Sequence, residues 1–133
     1  METGRSEDWK KWLWRQIIEL QGQTFRTSGR GGQLGVEFVY SISSTGSNRG
    51  RRYSGPEIEG YGNELWIIRD GERKRKSVSR STVELAYIRY LEIMDDIGVV
   101  RGPKALGIPG SGSYLYPVIK RIVEDAKDGS SSN

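Results

Sequence analysis

The side chains best suited to chemistry in this sequence are basic, and they are concentrated in one short window. The segment Arg69–Arg80 contains six Lys or Arg residues and two acidic residues, whereas the rest of the chain contains fifteen of each sign. The whole formal net charge of +4 therefore belongs to this segment. Because clustered positive charge attracts polyanions, the sequence predicts a surface that binds nucleic acid, either DNA or RNA.

Hydroxyl groups and loop arginines extend this predicted surface. Ser79 and Ser81 lie where a helix is expected to begin, and backbone N–H groups at a helix start attract anions. Arginines in a Gly- and Ser-rich loop can wrap phosphates or stack on unpaired bases. The predicted nucleic-acid contacts are Arg49, Arg51, Arg52, Arg69, Arg73, Lys74, Arg75, Lys76, Ser79, Arg80 and Ser81.

The same basic run has other interpretations. Lys and Arg on an edge strand also protect a sheet against aggregation. Side chains alternate along a strand, so only one of the pairs Arg73/Arg75 and Lys74/Lys76 can face a flat polyanion. An acidic protein partner could bind the same patch, and an exposed Trp12 or Trp14 would favour a small protein-interaction module.

Two residue types that carry much enzyme chemistry are missing. The chain has no histidine and no cysteine, which excludes disulfides, Cys/His zinc sites and Ser-His-Asp or Cys-His catalysis. A metal ion would have to be held by carboxylates, which favours Mg²⁺ or Ca²⁺. We therefore predict a non-catalytic binding role without a cofactor.

Glu57, Glu72 and Lys74 offer a catalytic alternative. Together with an order of helix, three strands and helix, they are similar to the core of the PD-(D/E)xK nucleases. The resemblance implies two carboxylates that hold Mg²⁺ and a lysine that orients the attacking water. Glu72 directly follows a predicted turn, and position 57 is glutamate where that family usually has aspartate, so the sequence favours binding without catalysis.

The connector Gly102–Ser113 is a further candidate for phosphate binding. A Gly- and Ser-rich loop that leads into a helix can hold phosphate, and Lys104 could supply the counter-charge. The loop lacks the Walker spacing, in which Gly-Lys-Ser/Thr ends the motif. Its composition favours a turn-rich connector instead.

The spacing of apolar residues predicts the elements that position these groups. Helices are expected at Glu7–Gln21, Ser81–Ile97 and Ser113–Ala126. Strands are expected at Gln23–Thr27, Gly35–Ser43, Glu57–Tyr61, Glu64–Arg69 and Glu72–Val78. Asp70-Gly71 favours a two-residue hairpin turn, and Ser81-Thr82-Val83-Glu84 has the form of a capping box.

Hairpin connections favour an antiparallel sheet. The predicted fold is α+β: an N-terminal helix, a three- to four-stranded antiparallel sheet with a basic β-hairpin, and two C-terminal helices on one face. The length fits one domain, residues 1–126, with a disordered polar tail at 127–133. The absence of a signal-peptide pattern and of any apolar run of transmembrane length predicts a cytoplasmic protein that does not bind membranes.

Overall fold

The computed structural model describes the backbone of residues 2–27, 35–45 and 53–132, and the side chains of 8–27, 35–45, 53–71 and 77–128. The elements in chain order are α1 (Glu2–Glu19), β1 (Phe25–Arg26), β2 (Glu37–Ser44), β3 (Tyr61–Arg69), β4 (Glu72–Ser79), α2 (Arg80–Ile97), a 3₁₀ helix (Pro103–Leu106) and α3 (Gly112–Ser132). This order confirms the predicted α+β class.

The four strands form one antiparallel sheet in the order β1-β2-β3-β4. Each strand pairs with the next one along the chain, as hairpin connections predict. Asp70 and Gly71 join β3 to β4 with φ angles of 55° and 77°. Positive φ at both residues is what a type I′ turn requires, so the Asp-Gly signal correctly located the hairpin.

The core lies between one face of the sheet and the three helices. Phe38 and Tyr40 of β2 and Leu65 and Ile67 of β3 are buried, at the alternate positions that point to one face. They pack in a single cluster with apolar side chains of the helices, including Leu13, Ile17, Val83, Leu115, Ile119 and Ile122. The Tyr40 hydroxyl donates a hydrogen bond to the carbonyl of Ile17 and so links the sheet to α1.

Several predicted boundaries are wrong. Helix α1 begins at Glu2 rather than at Glu7, and α3 continues to Ser132 rather than ending at Ala126. Two strands were predicted in this region, at 57–61 and 64–69. The structure has a loop that leads into one strand, β3, at Tyr61–Arg69. Gly62 and Asn63 are buried within β3, although neither residue favours a strand.

The N-cap of helix α2 lies two residues earlier than the capping-box pattern predicts. Ser79 is the N-cap, and its hydroxyl accepts a hydrogen bond from the backbone N–H of Thr82. Ser81 is already helical and exposed. Glu84 does not reach back to a cap, because its carboxylate contacts Arg80 and Tyr53 instead. Within residues 2–27, 35–45 and 53–132, no helix is long and apolar enough to cross a lipid bilayer.

Candidate nucleic-acid interface

The second face of the sheet carries a strip of partly exposed apolar side chains. Val39, Trp66 and Ile68 are each half-buried, and none of them belongs to the core or to the apolar residues packed against it. Val39 lies opposite Ile68, while Ser41 and Ser77 lie on either side of Trp66. We call these five residues the open-face strip. It offers one aromatic ring, two aliphatic side chains and two hydroxyls on a pleated surface.

The basic run Arg73–Lys76 lies beside this strip. Its backbone forms part of β4, which pairs with β3 and stands at the end of the sheet order. Arg73 lies opposite Ile68, and Ser77 lies opposite Trp66. Charge and apolar surface therefore occupy neighbouring strands.

Pairing between these two strands is irregular at the basic run. Between the pairs Ile68–Arg73 and Trp66–Ser77, β3 contributes Ile67 alone, while β4 contributes the residues from Lys74 to Lys76. Extra residues of this kind form a bulge, which bends an edge strand and increases its twist. The regular pairing assumed from the sequence is therefore interrupted here. The side chains of 72–76 lie outside the described residues, as do Arg49, Arg51 and Arg52 entirely.

Arg69 is directed to the helix layer. Its Nη1 donates a hydrogen bond of 2.9 Å to the hydroxyl of Tyr114 in α3. Tyr114 in turn packs edge-on against Phe38, with ring centroids 5.0 Å apart. Arg69 therefore fastens the end of β3 to α3, which limits its use as a free phosphate contact.

The largest difference from the predicted site concerns Arg80. Its side chain is completely buried, so its assignment to a phosphate-contacting surface is wrong. Nη1 donates to the Asn63 side-chain carbonyl at 3.0 Å, and Nη2 donates to the Lys10 backbone carbonyl at 3.1 Å. Nε lies 3.3 Å from Glu84 Oε2 in an ion pair one helical turn along α2.

Aromatic rings enclose the Arg80 guanidinium. Its Cζ lies 4.2 Å from the centroid of the Tyr53 ring and 5.3 Å from that of Trp14. The Tyr53 hydroxyl donates to Glu84, and the Trp14 indole donates to the Gly62 carbonyl at 3.0 Å. Burial lowers the pKa of Arg80 and, with the Glu84 hydrogen bond, raises the pKa of Tyr53. We call Tyr53, Asn63, Arg80 and Glu84, with Trp14, the Arg80 network.

The two serines predicted to contact nucleic acid, Ser79 and Ser81, have different environments in the structure. The Ser79 hydroxyl is engaged by the Thr82 N–H and also lies 2.9 Å from the Thr82 hydroxyl. Ser81 is exposed on the first turn of α2. Both residues remain at a helix start, as predicted, but Ser79 serves as the cap.

The carboxylates proposed for a nuclease site do not come together. Glu57 precedes β3 and accepts a hydrogen bond of 3.1 Å from Asn63, near the beginning of that strand. Glu72 lies opposite Arg69, at its far end. Asn63 and Arg69 are six residue steps apart along β3, or about 20 Å at roughly 3.3 Å per residue. Among the described side chains, no group of three acidic residues could hold a metal ion.

The tryptophans of α1 support packing. Trp14 is fully buried. Trp9 and Trp12 are half-buried against Tyr87 of α2, with ring centroids 5.7 Å and 6.0 Å away. The partly exposed tryptophan on the sheet is Trp66, which lies within the strand predicted at Glu64–Arg69 and was not among the predicted contacts.

Fold and surface together define a small α+β domain whose sheet has helices on one face and a basic hairpin at one edge. No protein-family model matches this chain, and the searches of curated proteins and of solved structures also returned no match.

Proposed function

We propose that this chain is a non-catalytic nucleic-acid-binding domain. Its contact surface is the open-face strip together with the basic hairpin of β4. The observation that supports the proposal is the position of the basic run: the segment that holds the net charge of the chain lies beside half-buried Trp66 and Ile68, on the edge of a sheet whose opposite face forms the core.

The two parts of this surface suit the two parts of a nucleic-acid strand. Lys and Arg neutralise phosphates and release counterions, which supplies sequence-independent affinity. Aromatic side chains on a sheet stack on unpaired bases, and this mode favours single strands. Ser41 and Ser77 flank Trp66 and provide hydroxyls that can bond base edges or sugars. The sequence also predicts phosphate contacts from Arg49, Arg51 and Arg52, which lie outside the described residues.

A binding panel tests the proposal. Fluorescence anisotropy would compare single- and double-stranded DNA and RNA of equal length at several salt concentrations. We expect the strongest binding to single strands, with log K falling by about 0.7 per phosphate contact for each tenfold rise in salt. Affinity that does not change with salt would reject phosphate contacts.

Matched charge variants locate the surface. The double variant Lys74→Gln/Lys76→Gln should weaken binding to all sequences by about tenfold and reduce the salt slope by about 1.4. Arg15→Gln/Lys120→Gln removes the same charge from exposed positions on α1 and α3. Equal losses from both variants would mean that net charge, rather than the hairpin, governs binding.

A protein-interaction module is a second candidate function. It is favoured by Leu85, Ile88 and Leu91, which are 41%, 39% and 38% exposed at three-residue spacing along α2. Exposed apolar patches often mark interaction surfaces. If purified protein is free of nucleic acid and binds none of the panel, Ile88→Glu should then abolish recovery of a partner that wild type retains.

A further inference from the structure

A cavity of about 440 Å³ lies between the end of β4, the first turns of α2 and the loop that precedes α3. Hydroxyl-bearing residues line it: Ser77, Ser79, Thr82 and Ser111. Among the described residues that line it, Arg89 is the charged one and none is acidic. A cavity with a cation, several hydroxyls and no carboxylate is suited to an anion.

Arg89 reaches this cavity without an acidic partner among the described residues. Its Nη1 donates to the backbone carbonyls of Leu106 and Gly107, both at 2.9 Å. These neutral acceptors hold the guanidinium in place without cancelling its charge. Its other N–H groups have no partner among the described side chains and backbone segments, and within that part of the chain Arg89 forms no ion pair. Donors therefore remain for a ligand.

Ser111 adds a hydroxyl on the opposite wall. The residue is only 8% exposed, and its hydroxyl forms no hydrogen bond with the described part of the chain. The hydroxyl is not fully enclosed, and Ser111 lines the cavity, so water or a ligand can reach it. A buried hydroxyl without a protein partner costs free energy unless water or a ligand bonds it.

The first turn of α2 forms another part of the cavity wall. The helix has 18 residues and is capped by Ser79, which satisfies the N–H of Thr82. The partial positive charge at this end favours an anion near the first turn. The loop 107–111 closes the cavity, and it belongs to the connector whose Gly and Ser content suggested phosphate binding.

We infer that this cavity binds a phosphate monoester, as found at the end of a nucleic-acid strand or in a free mononucleotide. The inference deepens the proposed function and, for the strand end, rests on it. Ser77 lies opposite Trp66 and also lines the cavity, so a strand on the open-face strip could end there. The counter-charge is supplied by Arg89 rather than by Lys104.

A substitution that fills the cavity with negative charge tests this without loss of folding. Thr82 occupies the third helical position after the cap, where glutamate completes a capping box. Thr82→Glu should therefore preserve the helix while it repels a phosphate. Thr82→Gln is the matched neutral control, since glutamine also suits that position.

Two measurements would be made on wild type and both variants. In the first, oligonucleotides that differ only in a terminal phosphate or hydroxyl are compared for affinity. In the second, a nucleoside monophosphate is titrated while the backbone amides of Ser81 and Thr82 are followed by NMR. We expect the phosphorylated strand to bind wild type and Thr82→Gln about tenfold more tightly. We expect Thr82→Glu to lose that difference and the amide shifts.

The outcomes separate the two proposals. Equal affinity for both strand ends, without amide shifts, would reject the phosphate cavity and leave nucleic-acid binding intact. Amide shifts that persist in Thr82→Glu would also reject it. If the mononucleotide shifts the amides of wild type but not of Thr82→Glu, while no oligonucleotide binds, the cavity stands and the proposed function fails.

Discussion

Arg80 and the basic run Arg73–Lys76 are close in sequence but occupy different positions in this fold. Arg80 is buried among Trp14, Tyr53, Asn63 and Glu84, and its partners come from α1, α2, β3 and the loop that precedes β3. The basic run Arg73–Lys76 belongs to an edge strand next to the open-face strip. Basic character alone therefore does not define a binding surface, because a guanidinium can equally be the centre of a core network.

The difference has a physical basis in the cost of burying charge. A buried cation must be paired and fully hydrogen-bonded, since desolvation costs several kcal/mol per ion. Arginine suits this role because its planar group can bond several acceptors and stack on rings at the same time. A basic side chain that stays in solvent avoids this cost and keeps its charge for phosphates, which is the role we propose for the basic run.

Replacing Arg80 should have the largest effect. Arg80→Met removes the cation and leaves Glu84, which is 7% exposed, without its ion-pair partner. We expect the free energy of unfolding to fall by about 3–5 kcal/mol, as when one partner of a buried pair is removed. Urea denaturation followed by circular dichroism measures it.

A double variant sharpens this interpretation. Arg80→Met/Glu84→Leu removes both charges and should recover part of the lost stability, because no uncompensated carboxylate remains. A loss below about 0.5 kcal/mol for Arg80→Met alone, the range of ordinary surface substitutions, would show that the network is dispensable.

Trp66→Ala should have the next largest effect, on binding rather than on stability. Loss of a stacked base costs about 1–3 kcal/mol of affinity for single strands. Duplex affinity should change less, because paired bases do not stack on side chains. Trp12→Ala is the matched control, since Trp12 packs on Tyr87 in the helix layer. Equal losses of affinity from both variants would contradict a role for the open-face strip.

Tyr53→Phe should have a smaller and pH-dependent effect. The variant loses the hydrogen bond to Glu84, worth about 1 kcal/mol at neutral pH. Burial raises the pKa of Tyr53 above its ordinary value of 10.0. The unfolded chain therefore releases this proton first, so stability is fully present below pH 10.0 and falls as the pH rises toward the folded pKa.

Urea denaturation between pH 8 and 11 would test this sign. Wild type should lose stability above about pH 10, by up to roughly 1.4 kcal/mol per pH unit for each such tyrosine. Burial also raises the pKa of Tyr40, so the stability of Tyr53→Phe should still fall with rising pH, but less steeply than that of wild type. An unchanged slope in the variant would show that Tyr53 ionises equally in both states.

Local signals in the sequence predicted the order of helices and strands but not which charged side chains are buried. The Asp70-Gly71 turn and the strand predicted at Gly35–Ser43 follow from local patterns, and the structure has a hairpin turn and a strand at these places. The burial of Arg80 depends on partners far away in sequence, namely Lys10 and Asn63. The spacing of apolar residues along the sequence does not indicate contacts between residues so far apart. Ser79 and Ser81 are equally good caps, and the choice between them follows from where β4 ends.

The sequence also did not show which face of the sheet carries Trp66. Leu65, Trp66, Ile67 and Ile68 form a continuous apolar run, so their pattern does not indicate which face is the core. Pairing with β2 decides it, because Tyr40 lies opposite Ile67 and Ser41 lies opposite Trp66. The open-face strip thus follows from strand register, which is a long-range property.

The smallest expected effect is on the stability of the hairpin variant. Lys74→Gln/Lys76→Gln should change the free energy of unfolding by less than about 0.5 kcal/mol, since it alters an edge strand away from the core. This variant also separates the two roles that a basic edge can have. If the lysines protect the edge against aggregation, their loss should produce oligomers in light scattering while monomer stability is unchanged. If they bind phosphates, the variant should stay monomeric and lose affinity, and we expect this second result.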